Sequence, residues 1–145
     1  MTQKPNPAHG GWQFALPFDV RDYECDLQGI VNNAVYQQYL EHARHRYIRT
    51  LGLDFAALAD QGVRLVVVRA ELDYKTPLRS GDACTVALRT ERMSPVRFVF
   101  HQEIRRTPDG QLVLTARIVC AAMNATGKPI VSDAVDRLFP PEGKA

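Results

Sequence analysis

The chain has 145 residues, enough for about one domain, and its 46% apolar and 23% charged residues are typical of a globular protein. A net charge of only +2 gives no reason to expect nucleic acid as a partner. No apolar run reaches the roughly 18 residues of a membrane span, and residues 1–11 lack the apolar core of a signal peptide. We therefore expect a flexible lead-in at 1–11, one domain at 12–140 and no membrane partner.

The first predicted element is a strand from Trp12 to Arg21, in which aromatic or aliphatic residues alternate with polar or small ones. Alternation with a period of two over nine residues indicates a half-buried strand. Pro17 has no N–H to donate to a neighbouring strand, so this strand is expected at a sheet edge or at a bulge.

A long amphipathic helix follows, and either of two asparagines, Asn32 or Asn33, can cap its beginning. When Leu40 is placed at the centre of the apolar face, steps of about 100° bring further apolar residues onto that face, namely Tyr36, Ala43, Tyr47 and Leu51. Gly52 then ends the helix. Arg44 points close to the apolar stripe and needs a partner or a place at its edge, because an unpaired buried charge is costly.

The remainder of the chain predicts four more strands, after a segment at 54–62 with room for one more helical stretch. Their ranges are 63–74, 83–93, 96–106 and 111–123, separated mostly by short turns. The last strand is apolar on both faces, as expected for a central strand covered on both sides. The fold class is therefore α+β, with one five-stranded antiparallel sheet and a long helix on its concave face. One helix cannot cover both faces, so a second subunit is expected on the other.

The loop that leads into the long helix contains the most informative chemistry of the chain. Asp26 lies in a glycine-containing loop just before the helix N-terminus, whose free N–H groups and positive dipole end can hold a developing negative charge. A nucleophile or base beside an oxyanion site is the minimal apparatus for acyl transfer. An isolated aspartate beside glycine is usually only a turn residue, but this context favours an enzyme.

Other candidate groups favour structural interpretations. Cys25 is expected to point away from Asp26 and to pack, because it lacks a cationic neighbour that would lower its pKa. Glu41 and His45 form a solvated pair on the helix, and the four histidines lack metal-ligand spacing, so we expect no metal. The cysteines are odd in number and widely spaced, which argues against disulfides and zinc and for a reducing cytoplasm; they are Cys25, Cys84 and Cys120.

Two motifs can be compared with known families: Asp26-x-x-Gly29-x-Val31-Asn32-Asn33-Ala34-x-Tyr36, continued by Tyr39-Leu40-Glu41-x-Ala43-Arg44, and Tyr74-Lys75-x-Pro77-Leu78-x-x-Gly81-Asp82. The first resembles the signature of hotdog-fold acyl-CoA thioesterases of the 4-hydroxybenzoyl-CoA thioesterase-like group. The second is similar to a strand-and-turn segment of that group. The resemblance covers roughly residues 12 to 135, and the first motif is the more specific because it combines seven or more positions with the right element placement.

The resemblance implies a hotdog fold, homodimers often paired into homotetramers, active sites at the subunit interface and no cofactor. It implies that Asp26 acts as nucleophile or general base on the thioester, and that the N–H of Asn33 polarises the thioester carbonyl. Further substrate contacts are expected from Gly29, Val31, Asn32, Tyr36 and Leu40. Of these, Tyr36 and Leu40 are the candidates for an acyl channel between subunits. Among many basic residues we choose Lys75 and Arg97 for the coenzyme A phosphates.

We therefore predict a cytoplasmic acyl-CoA thioesterase that converts a fatty or aromatic acyl-CoA into a carboxylic acid and free coenzyme A. One alternative is a thioesterase that acts on acyl groups held by acyl carrier protein. A second is a hotdog sensor that binds acyl-CoA without cleaving it, although a pure binder has no use for a carboxylate at Asp26. A third is a hotdog hydratase or dehydratase, which is disfavoured because no histidine lies near Asp26. The roles of nucleophile and base both remain open for Asp26.

Overall fold

Five strands form one antiparallel sheet in the computed structural model, which describes residues 11–139. The strands are β1 (Phe14–Asp19), β2 (Arg64–Tyr74), β3 (Ala83–Arg92), β4 (Arg97–Thr107) and β5 (Leu112–Met123), in the spatial order β1-β3-β4-β5-β2. The helices are α1 (Asn33–Thr50), α2 (Phe55–Asp60) and α3 (Asp133–Asp136). The predicted α+β class and strand set are confirmed, while the predicted lead-in lies outside the described residues except for Gly11.

Helix α1 begins and ends where the capping residues predict. Asn32 is the N-cap, and its side-chain oxygen accepts a hydrogen bond of 2.9 Å from the Ala34 N–H. At the other end, Gly52 has a φ of 77°, a conformation that favours glycine, and its N–H donates to the Arg49 carbonyl. The predicted stop at Gly52 is therefore confirmed, and Asn32 rather than Asn33 is the cap.

The apolar face of α1 packs against the concave face of the sheet and forms the core. Four of the five predicted residues of that face are buried, namely Tyr36, Leu40, Ala43 and Tyr47, and Leu51 is half-buried. They pack in one cluster with side chains from the inner strands, including Leu88, Phe98, Phe100 and Ile104. Burial of each large side chain contributes roughly 1.5–3 kcal/mol, so this contact holds the helix in place.

Arg44 is buried within this core at 9% exposure, and it has found a partner as its position required. Its Nη1 donates to Oε1 of Gln102 at 3.0 Å, and Nε2 of Gln102 donates in turn to the Leu40 carbonyl. The guanidinium also lies 5.9 Å from the centroid of the Phe100 ring. Burial lowers the pKa of Arg44 below its usual value. The partner is thus a neutral amide and an aromatic face.

The two edge strands differ from the inner strands in exposure. β1 is one edge, as Pro17 predicted, and β2 is the other. The register of β2 against β5 shifts between Val67 and Arg69, and Val67 and Val68 remain 48% and 39% exposed. β5 lies between β4 and β2, so the prediction that the last strand is an inner strand of the sheet is confirmed. Within residues 11–139, no helix has the length and apolarity needed to cross a membrane.

Candidate active site

A tight turn places Asp26 directly before helix α1. Cys25 and Val31 form an antiparallel bridge, and between them the Asp26 N–H donates to the Ile30 carbonyl at 2.9 Å. Gly29 closes the turn by donating its N–H to the Asp26 carbonyl at 3.0 Å, and its φ of 79° is one that a side chain would strain. The glycine of the motif is therefore explained by the backbone of this turn.

The Asp26 carboxylate is exposed, and its two oxygens have different surroundings. Oδ1 accepts a hydrogen bond of 2.8 Å from the Gln28 N–H, while Oδ2 has no hydrogen-bond donor among residues 11–139. The Oδ1 contact is the one that any aspartate in such a turn makes. It also fixes the orientation of the carboxylate, so that the second oxygen remains available to a substrate or a water molecule.

The first turn of α1 presents one unused backbone donor. The Ala34 N–H donates to the Asn32 side chain and the Val35 N–H to the Asn32 carbonyl. The Asn33 N–H has no acceptor within the described part of the chain, whereas the Asn33 carbonyl accepts a hydrogen bond of 3.3 Å from the Tyr74 hydroxyl. A free N–H at the positive end of an 18-residue helix is suited to hold an oxyanion.

Asp26 and Asn33 line the same cavity, which has a volume of about 500 Å³. Its remaining wall is mainly apolar and includes Ile30, Val31, Tyr36 and Tyr74. The rings of Tyr36 and Tyr74 lie 5.6 Å apart between centroids. The cavity therefore brings Asp26 and Asn33 together with an apolar surface of the kind that receives an acyl group.

Most of the predicted site residues lie in or beside this cavity. Val31, Tyr36 and Lys75 line it, while Gly29 closes the turn and Asn32 caps the helix without lining the cavity. The Tyr36 hydroxyl accepts a hydrogen bond of 3.0 Å from the Leu78 N–H, and burial raises the pKa of Tyr36. Tyr36 is therefore a structural wall residue rather than an acid.

Leu40 lies apart from this group. It has 0% exposure in the core and borders a smaller groove between α1 and β2, together with Val67 and Ala70. The helical period placed Leu40 on the apolar face correctly, but that face is buried against the sheet beyond the end of the cavity.

Arg97 also lies away from the cavity within one chain. It pairs with Ala121 at the beginning of β4, whereas Tyr74 of the cavity is at the level of Leu114 and Ile104. Ile104 is seven residues further along β4 than Arg97, which corresponds to about 23 Å along the strand. The two ends of the sheet thus separate Arg97 from Asp26.

The cysteines and charged residues outside the cavity have structural surroundings. Burial raises the pKa of Cys84 to about 12 and that of Cys120 to about 11, so both thiols stay protonated, and Cys25 packs against the core. Glu41 and His45 lie 3.9 Å apart and are half-exposed, as the predicted solvated pair requires. In the described range 11–139, no three His, Cys, Asp or Glu side chains are grouped to hold a metal.

Sequence reasoning did not identify Tyr74 as a residue of the site. The chain segment from Tyr74 to Asp82 matched a family motif, but the contact of the Tyr74 hydroxyl with the Asn33 carbonyl spans 41 residues. Local spacing cannot reveal such a contact. The only available signal was that an aromatic residue ends a strand just before a proline-containing turn.

Comparisons with known proteins show the family to which the chain is related. The family model described as "Thioesterase-like superfamily" matches residues 20–140. The chain is 33% identical over 111 residues to the chloroplastic acyl-acyl carrier protein thioesterase ATL3 of Arabidopsis thaliana, covering 77% of this chain and 58% of that protein. It is 26% identical over 133 residues to the acyl-CoA thioesterase YbgC of Haemophilus influenzae, covering 91% and 92%.

The fold itself is shared with solved structures. The crystal structure of Slr0204, a 1,4-dihydroxy-2-naphthoyl-CoA thioesterase from Synechocystis, superposes with a TM-score of 0.83 at 20% identity over 87% of this chain and 94% of that one. The predicted hotdog arrangement is therefore confirmed. The chain spans only 58% and 54% of the length of the first two curated relatives, ATL3 and ATL2.

Proposed function

The chain belongs to the thioesterase-like superfamily, and on this premise we propose that it hydrolyses the thioester of a fatty or aromatic acyl-CoA. The products are a carboxylic acid and free coenzyme A. The observation that carries the proposal is that Asp26 and Asn33, whose N–H has no acceptor in the described part of the chain, line one largely apolar cavity. These are the two groups that an acyl-transfer site requires.

The acyl group lies in the apolar part of the cavity, and its carbonyl oxygen accepts a hydrogen bond from the Asn33 N–H. Asp26 then acts in one of two ways. It attacks the carbonyl carbon, which expels the coenzyme A thiolate and leaves a mixed anhydride for water to cleave. Alternatively, it takes a proton from a water molecule as that water attacks. In both routes negative charge develops on the carbonyl oxygen, where the helix N-terminus stabilises it.

The other residues of the site have supporting roles. Tyr36, Tyr74 and Val31 form the acyl wall, and Lys75 offers a positive charge to a coenzyme A phosphate. Gly29 and Asn32 shape the turn and the helix end. Leu40 packs in the core and contributes to the position of α1, and Arg97 lies outside the proposed site. No residue in this scheme calls for a cofactor.

We also propose that the protein works as a homodimer or homotetramer with active sites at the subunit interface. The support is the unpaired edge strand β2, which exposes Val67 and Val68. A second copy that pairs with this edge would satisfy its open backbone groups. The three free thiols of Cys25, Cys84 and Cys120 fit a reducing compartment, so we propose the cytoplasm.

A second candidate function is hydrolysis of an acyl group carried by acyl carrier protein. The observation that favours it is that the first two relatives, ATL3 and ATL2, are named acyl-acyl carrier protein thioesterases. Their identities of 33% and 37% exceed the 26% of the acyl-CoA thioesterase YbgC. The cavity chemistry at Asp26 is the same for both substrates, because only the carrier of the thioester differs.

The test is release of free thiol from short, medium, long and aromatic acyl-CoAs and from one acyl carrier protein thioester. We expect wild type to cleave one acyl class and Asp26→Asn to lose about 10² to 10⁴ in kcat, with little change in melting temperature because Asp26 is exposed. Asp60→Asn, at an exposed aspartate in α2, is the matched control and should keep full activity. Turnover of the carrier-protein substrate alone would favour the second candidate, and binding of acyl-CoA without cleavage would indicate a sensor.

A further inference from the structure

Glu24 is the centre of a hydrogen-bonded cluster beside the turn that carries Asp26. The Tyr39 hydroxyl donates to Oε1 of Glu24 at 2.6 Å, and the Arg21 N–H donates to the same oxygen at 2.9 Å. Nη1 of Arg21 donates to Oε2 at 3.3 Å. The Glu24 side chain is only 11% exposed and Tyr39 only 2%. This carboxylate is therefore held by three donors, and it lines a separate cavity of about 370 Å³ rather than the one that contains Asp26.

The backbone of Glu24 makes a second connection to the same helix. Its carbonyl accepts a hydrogen bond of 2.9 Å from the N–H of Asn32, the residue that caps α1. Glu24 is thus bonded to the beginning of α1 through its main chain and to the second turn of α1 through Tyr39. Asp26 follows Glu24 by two residues and Asn33 follows Asn32 by one. Asp26 and the Asn33 N–H are therefore both connected to Glu24 through only one or two residues of backbone.

The charges in this cluster make the connection firm at neutral pH. Burial raises the pKa of Glu24, but the hydrogen bonds from Tyr39 and Arg21 together lower it by more than burial raises it. The pKa of Glu24 therefore lies below its usual value. Burial and the adjacent carboxylate both raise the pKa of Tyr39, so its hydroxyl remains a donor. The contact is a charge-assisted hydrogen bond, which is shorter and stronger than one between neutral groups.

We propose that Glu24 and Tyr39 are positioning residues, which hold the turn of Asp26 at the correct distance from the Asn33 N–H. This inference rests on the proposed function. A displacement of about 1 Å between reacting groups can cost on the order of 10² in rate, even when the altered residue does not touch the substrate. Loss of the Tyr39 hydroxyl should therefore affect turnover more than binding.

A second tyrosine of the same helix provides the matched control. Tyr47 is also buried on the apolar face of α1, and its hydroxyl donates to the Leu138 carbonyl at 2.5 Å and accepts from Nε2 of Gln13 at 2.7 Å. Replacement by phenylalanine removes one buried hydroxyl in each case. Tyr39 reaches the turn of Asp26, whereas Tyr47 reaches the C-terminal part of the chain.

The experiment compares kcat and KM of wild type, Tyr39→Phe, Tyr47→Phe, Glu24→Gln and Glu24→Ala on the acyl thioester that wild type cleaves best. We expect Tyr39→Phe to lower kcat by about tenfold or more, with KM within about twofold. Tyr47→Phe should keep the wild-type kcat and KM, while its melting temperature falls by about as much as that of Tyr39→Phe. Glu24→Gln retains an oxygen that accepts from Tyr39, so it should keep clearly more activity than Glu24→Ala. Equal kcat values for the two tyrosine variants would overturn the proposal.

Exchange of the Asn32 backbone amide, measured by NMR, gives a readout that needs no activity. It should be faster in Tyr39→Phe than in wild type and unchanged in Tyr47→Phe, because Tyr39, unlike Tyr47, anchors the residue whose carbonyl binds this amide. If wild type cleaves no thioester, the proposed function fails, yet faster exchange in Tyr39→Phe alone still supports the anchoring contact. Equal exchange in both variants overturns that contact, whatever the activity.

Discussion

The two ends of helix α1 share one apolar face, but the polar groups beside them differ in how many hydrogen-bond partners they have. At the C-terminal end, the Leu138 carbonyl accepts hydrogen bonds from Tyr47, Thr90 and Gln13, and the Tyr47 hydroxyl also accepts from Gln13. At the N-terminal end, the Asn33 N–H and one oxygen of the Asp26 carboxylate have no partner among residues 11–139.

This difference separates stability from chemistry along one helix. Buried polar groups with complete sets of partners fix a single arrangement, and leaving any of them unpaired would cost free energy. Groups left without partners beside a cavity remain available to a substrate, and the protein keeps them in place with neighbours such as Asn32 and Glu24. We call the N-terminal end of α1, with Asn33 and Asp26, the open end, and the C-terminal end, with the Leu138 carbonyl, the sealed end. Substitutions at the open end should mainly lower activity, and those at the sealed end should mainly lower stability.

Asn32→Ala removes the N-cap at the open end and should have a larger effect than the changes at Glu24 and Glu41. Loss of the side-chain oxygen that accepts from Ala34 should lower the free energy of unfolding by about 0.5–2 kcal/mol. It should also lower kcat by about tenfold or more, because a frayed first turn no longer aims the Asn33 N–H. Urea unfolding and thiol release measure the two effects on one preparation.

The control is Asp54→Ala, which removes the N-cap of α2. Asp54 accepts from the Ala56 N–H at 3.3 Å, the same type of contact that Asn32 makes at 2.9 Å. Stability should fall in this variant as well, while kcat stays at the wild-type level. A similar loss of kcat in both variants would mean that general destabilisation, rather than the helix end, limits turnover.

The sequence predicts the local part of this comparison well and the long-range part poorly. Pro17 indicated an edge strand, while Asn32 and Gly52 marked the ends of α1, because capping and hydrogen-bond donation depend on a few adjacent residues. The hydrogen bonds from Tyr74 to the Asn33 carbonyl and from Tyr39 to Glu24 depend on how distant segments pack. No local pattern specifies them.

The same limit explains the two predicted site residues that lie outside the cavity. Helical periodicity placed Leu40 on the buried face, but it does not tell which part of that face borders a cavity. Arg97 was chosen among many basic residues, and the sequence does not tell which of them lies near Asp26. The register of β4 against β5 puts Arg97 at the far end.

Acid should weaken the open end before the sealed end. The pKa of Glu24 is lower in the folded protein than in the unfolded chain, because the hydrogen bonds from Tyr39 and Arg21 outweigh burial. Its stabilising contribution is therefore complete above the unfolded value of about 4.3 and is lost as the pH falls through the lower folded value. The unfolding midpoints of wild type and Glu24→Gln in urea should differ at neutral pH and converge as the pH falls below about 4.3. A constant difference would show that the charge of Glu24 contributes nothing.

The smallest effect is expected at Glu41, the one acidic residue within α1. Glu41 lies 3.9 Å from His45, both side chains are half-exposed, and such helix pairs contribute about 0.3–0.5 kcal/mol at most. Burial lowers the pKa of His45 below 6.5 despite the nearby Glu41, so the pair is not ionic at neutral pH. Glu41→Gln should therefore change neither the free energy of unfolding by more than about 0.5 kcal/mol nor kcat.

This last variant bears on the mechanism because Glu41 is the only acidic residue within α1. Glu41 lines a cavity with Glu24 and Tyr39 and also a groove beside β2. In the described part of the chain, Asp26 is the only acidic residue that lines the cavity with Asn33. If thiol release fell in Glu41→Gln as far as in Asp26→Asn, one carboxylate could not account for the reaction. Unchanged kcat leaves Asp26 to serve as nucleophile or base without a second acid.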